Sequence, residues 1–195
     1  MTASDFATGS GVETVVTAEI YGNPAPSFFA QTLASTVGGA YSGNQYLTFT
    51  LTPNAGYALN LSSVSFDIAA GVTSGTADQV SQAYIYTNLD NGLVPVGAGF
   101  AEYTAVADGS QPSPYSHFTN DLGAIPLYQD VTGPIHFTVY FFGTNSNGLV
   151  SLDNIEIDGT ATATPTSVPE PASAVLMLLG CVPVLFASWR VIKRA

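Results

Sequence analysis

Positive charge is what this chain has least of. Three Lys and Arg residues stand against 14 Asp and Glu, and all three (Arg190, Lys193 and Arg194) fall at the extreme C-terminus. Residues 1–171 carry the 14 acidic side chains and no Lys or Arg, a formal charge of −14. A surface with no basic patch has nothing to set against phosphate or sulfate, so nucleic acid, anionic lipid headgroups and acidic glycans are poor partners. Cysteine is nearly absent as well. The single Cys181 lies beyond residue 171, so no disulfide holds the preceding part together. Histidine is limited to His117 and His136. Two histidines without cysteine pairs or an HExxH spacing make no zinc site, and no nucleophile-elbow sequence accompanies them. An enzyme is therefore not expected, and both histidines read as ordinary residues, His117 in the loop PSPYSHF and His136 on the polar face of a strand. Helix-favouring Lys, Arg and Glu are scarce while Gly, Pro, Ser and Thr are abundant, which points to an all-β chain.

What the chain does have is a long apolar run near its end. Ala172–Trp189 contains no charged side chain. Eighteen helical residues rise about 27 Å, close to the roughly 30 Å hydrocarbon core of a bilayer. Only Ser173 and Ser188 interrupt the run, so it lacks the polar face of a helix packed on a soluble core. Pro183 is tolerable in a membrane helix, and Trp189 stands where an interfacial aromatic belongs. The basic cluster Arg190, Lys193 and Arg194 just past the run keeps that end in the cytoplasm. A single C-terminal transmembrane helix is expected, with everything before Pro169 outside the cytoplasm.

Pro169, Glu170 and Pro171 immediately precede the span. The order Pro-Glu-Pro, hydrophobic helix, short basic tail resembles the PEP-CTERM sorting signal of bacterial envelope proteins, over about 28 residues. The resemblance implies membrane retention, then cleavage near Pro169–Pro171 by an exosortase-type enzyme and transfer to the surface or medium. Export also calls for an N-terminal signal. Met1–Gly11 has neither a basic n-region nor an apolar h-region, so a start upstream of residue 1 is expected.

The preceding 160 residues or so are enough for one domain with its own core. Val12–Tyr21 is the first expected strand, and Gly38-Gly39 with Ser42-Gly43 reads as a loop. Tyr46–Leu51 alternates, with Leu47, Phe49 and Leu51 on one face. Leu61–Ile68 alternates again, Ala83–Thr87 is a short strand, and Asn88–Gly92 is turn-rich. The signal weakens from Gly97 to Asp130. Ile135–Phe142 puts Ile135, Phe137, Val139 and Phe141 on one face. Leu149–Ile157 changes phase between Leu152 and Ile155, which predicts a β-bulge at Asp153-Asn154. Asp158-Gly159 reads as the end of the domain and 161–168 as a Thr/Pro-rich extended spacer. Short alternating strands between turns predict an antiparallel β-sandwich, a jelly roll first and an immunoglobulin-like sandwich second. Tyr46–Ile68, Ile135–Phe142 and Leu149–Gly159 also resemble the jelly-roll ectodomains often joined to PEP-CTERM tails. Those are akin to galactose-binding and carbohydrate-binding modules.

Two binding chemistries follow. Sugar sites set aromatic rings against sugar faces with a few polar groups to orient them. Ten tyrosines are available, with Tyr84, Tyr86, Tyr103 and Tyr115 the candidates for a neutral glycan, although core packing explains many tyrosines equally. Calcium sites combine Asp or Asn side chains with carbonyls. Asp153 and Asn154, or Asp90 and Asn91, offer such oxygens for a structural calcium, and turn and bulge chemistry accounts for the same residues. The sequence reading is thus a non-enzymatic envelope or extracellular-matrix protein, with a carbohydrate-binding module as the alternative.

Overall fold

The computed structural model describes residues 1–12, 28–72, 78–104, 113–144 and 148–165. The Pro-Glu-Pro motif, the apolar run and its basic end lie outside the described residues, as does most of the first expected strand. The chain falls into two compact units, Met1–Ala163 and Thr164–Ala195. Among the described residues no helix is long and apolar enough to cross a membrane.

The first unit is an all-β sandwich. In chain order its elements are β1 (Thr2–Ala3), β2 (Ala7–Thr8), β3 (Phe28–Thr32), α1 (Val37–Ser42), β4 (Tyr46–Thr52), β5 (Tyr57–Val72), β6 (Gln79–Thr87), β7 (Gly97–Tyr103), β8 (Ser116–Asp121), β9 (Ile135–Gly143) and β10 (Gly148–Ala163). One sheet runs β1-β4-β9-β6-β7, with β2 also on β4; the other runs β3-β10-β5-β8. All described pairings are antiparallel. From β3 to β10 the chain crosses between the sheets at every step except the β6–β7 pair, which is the double Greek-key order of a jelly roll.

The core follows from alternation. Leu47, Phe49 and Leu51 of β4 and Ile135, Phe137, Val139 and Phe141 of β9 turn inward, at 8% exposure or less. Val64, Phe66 and Ile68 of β5 meet them from the second sheet, each fully buried. Because the side-chain period is two, burying one face fixes which residues the other presents to solvent.

Several sequence expectations change. The Gly38–Gly43 loop holds a helical turn: the Thr36 hydroxyl caps it by accepting from Gly39 N at 3.1 Å, and Ala40 is buried beneath it. β5 and β10 each run 16 residues, well past Leu61–Ile68 and Leu149–Ile157, because they pair with each other from Tyr57↔Ala163 to Val72↔Gly148. The bulge at Asp153-Asn154 is present as a register shift between Asp153 and Glu156, with Asn154 at φ 48°. Asp158-Gly159 is a second irregularity inside β10 and not its end, so Ala161–Ala163 of the expected spacer are strand. The weak region holds β7 and β8, which places His117 on a strand, not in a loop.

Candidate functional site

The outward face of the larger sheet gathers tyrosine. Register brings Tyr46 of β4 and Tyr84 of β6 to either side of Tyr140 on β9. The next row along is Thr48, Thr138 and Tyr86, and beyond it Thr50 pairs with His136. Strands about 4.8 Å apart bring such rings into contact. Tyr46 and Tyr86 each lie 5.7 Å from Tyr140, at interplanar angles of 71° and 74°. α1 adds a third ring: Tyr41, 69% exposed, sits 5.7 Å from Tyr140 at 45°.

Tyr41, Tyr86 and Tyr140 line a cleft of about 570 Å³, and Tyr46 packs on Tyr140 beside it. Tyr86, Thr138, Tyr140 and His136 form its strand floor. Val37, Gly38 and Tyr41 of α1, and Asn88, Asn91 and Leu93 of the loop after β6, supply its rims. The loop is tied down on both sides. Asn88 N donates to His136 O at 3.1 Å, and Asn88 Oδ1 accepts from His136 N at 2.8 Å. The Asp90 carboxylate accepts from Gly92 N and Val94 N at 3.0 and 2.8 Å, while Asn91 and Gly92 take positive φ. Asp90 and Asn91 thus shape the turn. Beneath it the buried Tyr128 hydroxyl and Thr87 Oγ1 share a hydrogen bond at 2.9 Å. His136 Nδ1 and Thr50 Oγ1 lie 2.8 Å apart and fix the exposed imidazole on the floor.

Burial pushes the Tyr140 phenol above its ordinary 10.0, with the Tyr41, Tyr46 and Tyr86 phenols adding to the shift. Tyr86 is raised for the same first reason, then by Tyr84 and Asp90. Both remain neutral hydroxyls at physiological pH, able to donate and to accept. The cleft therefore offers apolar ring surfaces, neutral hydrogen-bonding groups, and no Lys, Arg, Asp or Glu in its lining.

The other expected site residues are dispersed. Tyr84 flanks the cluster and packs on Phe142, 5.4 Å away at 72°. Tyr103 is 4% exposed and is core, because β7 turns that parity inward. Tyr115 lies with the second sheet, its hydroxyl 2.6 Å from Ser151 Oγ. Asp153 Oδ1 accepts from Asn154 N at 2.7 Å, and Asn154 Nδ2 donates to Asp67 Oδ2 at 2.6 Å. Asp67 Oδ1 is 2.6 Å from His117 Nδ1, whose Nε2 is 3.0 Å from Thr119 Oγ1. This network stitches β10, β5 and β8 together on the sheet surface. Among the described residues no three His, Cys, Asp or Glu side chains converge as metal ligands do. Sequence reasoning missed Tyr41, Tyr46 and Tyr140. Tyr46 and Tyr140 share strand parity with residues already placed outward, but only register shows that they meet.

No protein-family profile matches the chain, and no curated protein does. Several solved β-sandwich structures are similar. A CBM27 domain of Caldicellulosiruptor saccharolyticus, solved with mannohexaose, is 15% identical over 77% of this chain and 87% of its own, with a TM-score of 0.46. The CBM22-2 xylan-binding domain of Paenibacillus barcinonensis Xyn10C is 13% identical over 80% and 91%, with a TM-score of 0.45. The K3 cleaved adhesin domain of Porphyromonas gingivalis Lys-gingipain is 13% identical over 68% and 74%, with a TM-score of 0.41. At these identities and scores the likeness assigns no ligand and no site.

Proposed function

We propose that the domain is a non-enzymatic glycan-binding module whose tyrosine cleft holds a sugar chain free of anionic groups. The observation that carries this is the meeting of Tyr41, Tyr86 and Tyr140 in one cleft with His136, Asn88 and Asn91. Rings suit the CH-rich faces of pyranoses, and a few placed polar groups orient the hydroxyls. A glycan array followed by calorimetry on the best neutral oligosaccharide tests the reading. Tyr140→Ala is expected to weaken binding about 30-fold, or ~2 kcal/mol, with unchanged circular dichroism. Binding that survives Tyr140→Ala and Tyr86→Ala intact would place the ligand elsewhere.

The proposal includes delivery. The succession Pro169-Glu170-Pro171, Ala172–Trp189, and Arg190, Lys193 and Arg194 supports display outside the cytoplasmic membrane and processing by an exosortase-type enzyme. Intact mass of the protein from envelope and medium is expected to show a C-terminus near Pro169–Pro171. A chain that ends at Ala195 in every fraction would rule processing out.

A further inference from the structure

Binding an uncharged sugar leaves the charge of the domain without a use. Residues 1–171 hold 14 acidic side chains and no Lys or Arg, and a net negative charge of that size attracts cationic ligands from a distance. The loop at the cleft rim adds Asp90, whose charge reaches Tyr86. The rings themselves point to the same ligand chemistry. Tyr41, Tyr86 and Tyr140 all line the cleft, and Tyr41 and Tyr86 meet Tyr140 at 45° and 74°, so the lining rings are not coplanar. Aromatic faces are the negative pole of the ring quadrupole, and a cleft lined by three tyrosines suits an ammonium group seated over a ring face. No Lys or Arg in the lining would repel one.

We propose that the glycan taken by this cleft is an amino-sugar polymer with free ammonium groups, and that the tyrosine cluster around Tyr140 receives the ammonium. This rests on the glycan reading of the cleft and narrows it. N-acetylation keeps the sugar ring but removes the charge, so it should cost the chain both long-range attraction and the cation–π contact.

The test is calorimetry of the full-length chain in a non-ionic detergent with three probes: a glucosamine hexamer, its fully N-acetylated counterpart, and cellohexaose. At low salt the glucosamine hexamer is expected to bind about tenfold tighter than the other two, the size of one partly desolvated cation–π contact. The advantage should shrink as salt rises, excess tetramethylammonium should compete, Tyr140→Phe should keep the preference and Tyr140→Ala lose it. Equal affinity for all three hexamers overturns the amino-sugar inference while leaving the glycan reading standing. A glucosamine preference that survives Tyr140→Ala also overturns it, since the acidic surface at large would then be the binder. If none of the hexamers binds, the inference falls; a neutral ligand from the array would still preserve the broader reading.

Discussion

Replacing Phe137 with alanine is expected to remove about 3–5 kcal/mol of stability, the cost typical of deleting a large buried aromatic side chain. Phe137 is fully buried on β9, a central strand of the larger sheet. Its ring stacks on Phe49 of β4 at 4.9 Å and 5°, and the two pair directly across the strands. On the other side it is in register with Thr87 of β6. The loss is therefore a cavity at the junction of three strands. A whole domain is commonly stable by only about 5–15 kcal/mol, so the variant should sit close to unfolding at ambient temperature. Thr138→Ala, one residue along and facing outward, should cost less than about 1 kcal/mol. Urea unfolding of both variants decides the matter. A loss below about 1 kcal/mol for Phe137→Ala would mean that β9 does not turn this face inward.

Phe137 also marks what the amino-acid order makes readable. On β4 and β9 large apolar residues alternate with Thr, Tyr and His, so strand, face and core are all visible in one dimension. On β7 the first three inward positions are Gly97, Gly99 and Ala101, which carry little hydrophobic signal. What fills that space comes from the second sheet: a Cβ on Gly99 would lie 2.7 Å from the Phe118 ring and 2.8 Å from Phe66. The same lost alternation makes Tyr103 read as a binding residue when it is core. Asp158-Gly159 carries a local turn signal, but pairing of Gly159 with Leu61 holds it inside a strand. α1 has two glycines and β-branched Val37, so helix propensity opposes it; the Thr36 cap and the burial of Ala40 make it. The site is legible only in fragments. Tyr84 and Tyr86 share a strand and stand out together, whereas Tyr41, Tyr46 and Tyr140 join them through tertiary register.

The lack of Lys and Arg in residues 1–171 leaves the interior unable to neutralise one more carboxylate, and Gln79→Glu should show it. Gln79 at the start of β6 is fully buried. Its Nε2 donates to Ser81 Oγ at 3.2 Å, Val80 O at 3.3 Å and Thr32 Oγ1 at 3.4 Å, and its Oε1 accepts from Thr144 Oγ1 at 3.4 Å. Ser81 Oγ passes the chain on to Leu149 O at 2.7 Å, so the amide links strands of both sheets. Gly143 and Gly148 make room for it, since a Cβ on either would land on the Gln79 amide. Glutamate has the same shape but, when ionised, only accepts hydrogen bonds. No Lys or Arg in residues 1–171 can pair with it. Burial therefore holds its folded pKa well above the ordinary ~4.3. Above that pH the unfolded chain has released the proton and the folded chain has kept it. The unfolded state then binds fewer protons, and stability falls by about 1.4 kcal/mol per pH unit until the folded pKa is reached. Between pH 4 and 7 the variant should lose roughly 3–4 kcal/mol relative to the parent, and near pH 4 it should approach the parent, short of one donor. Subtracting the parent's urea curves at each pH removes the titration of the native carboxylates. A difference that stays flat from pH 4 to 7 would mean that position 79 reaches water, and that the buried amide linking the sheets does not exist.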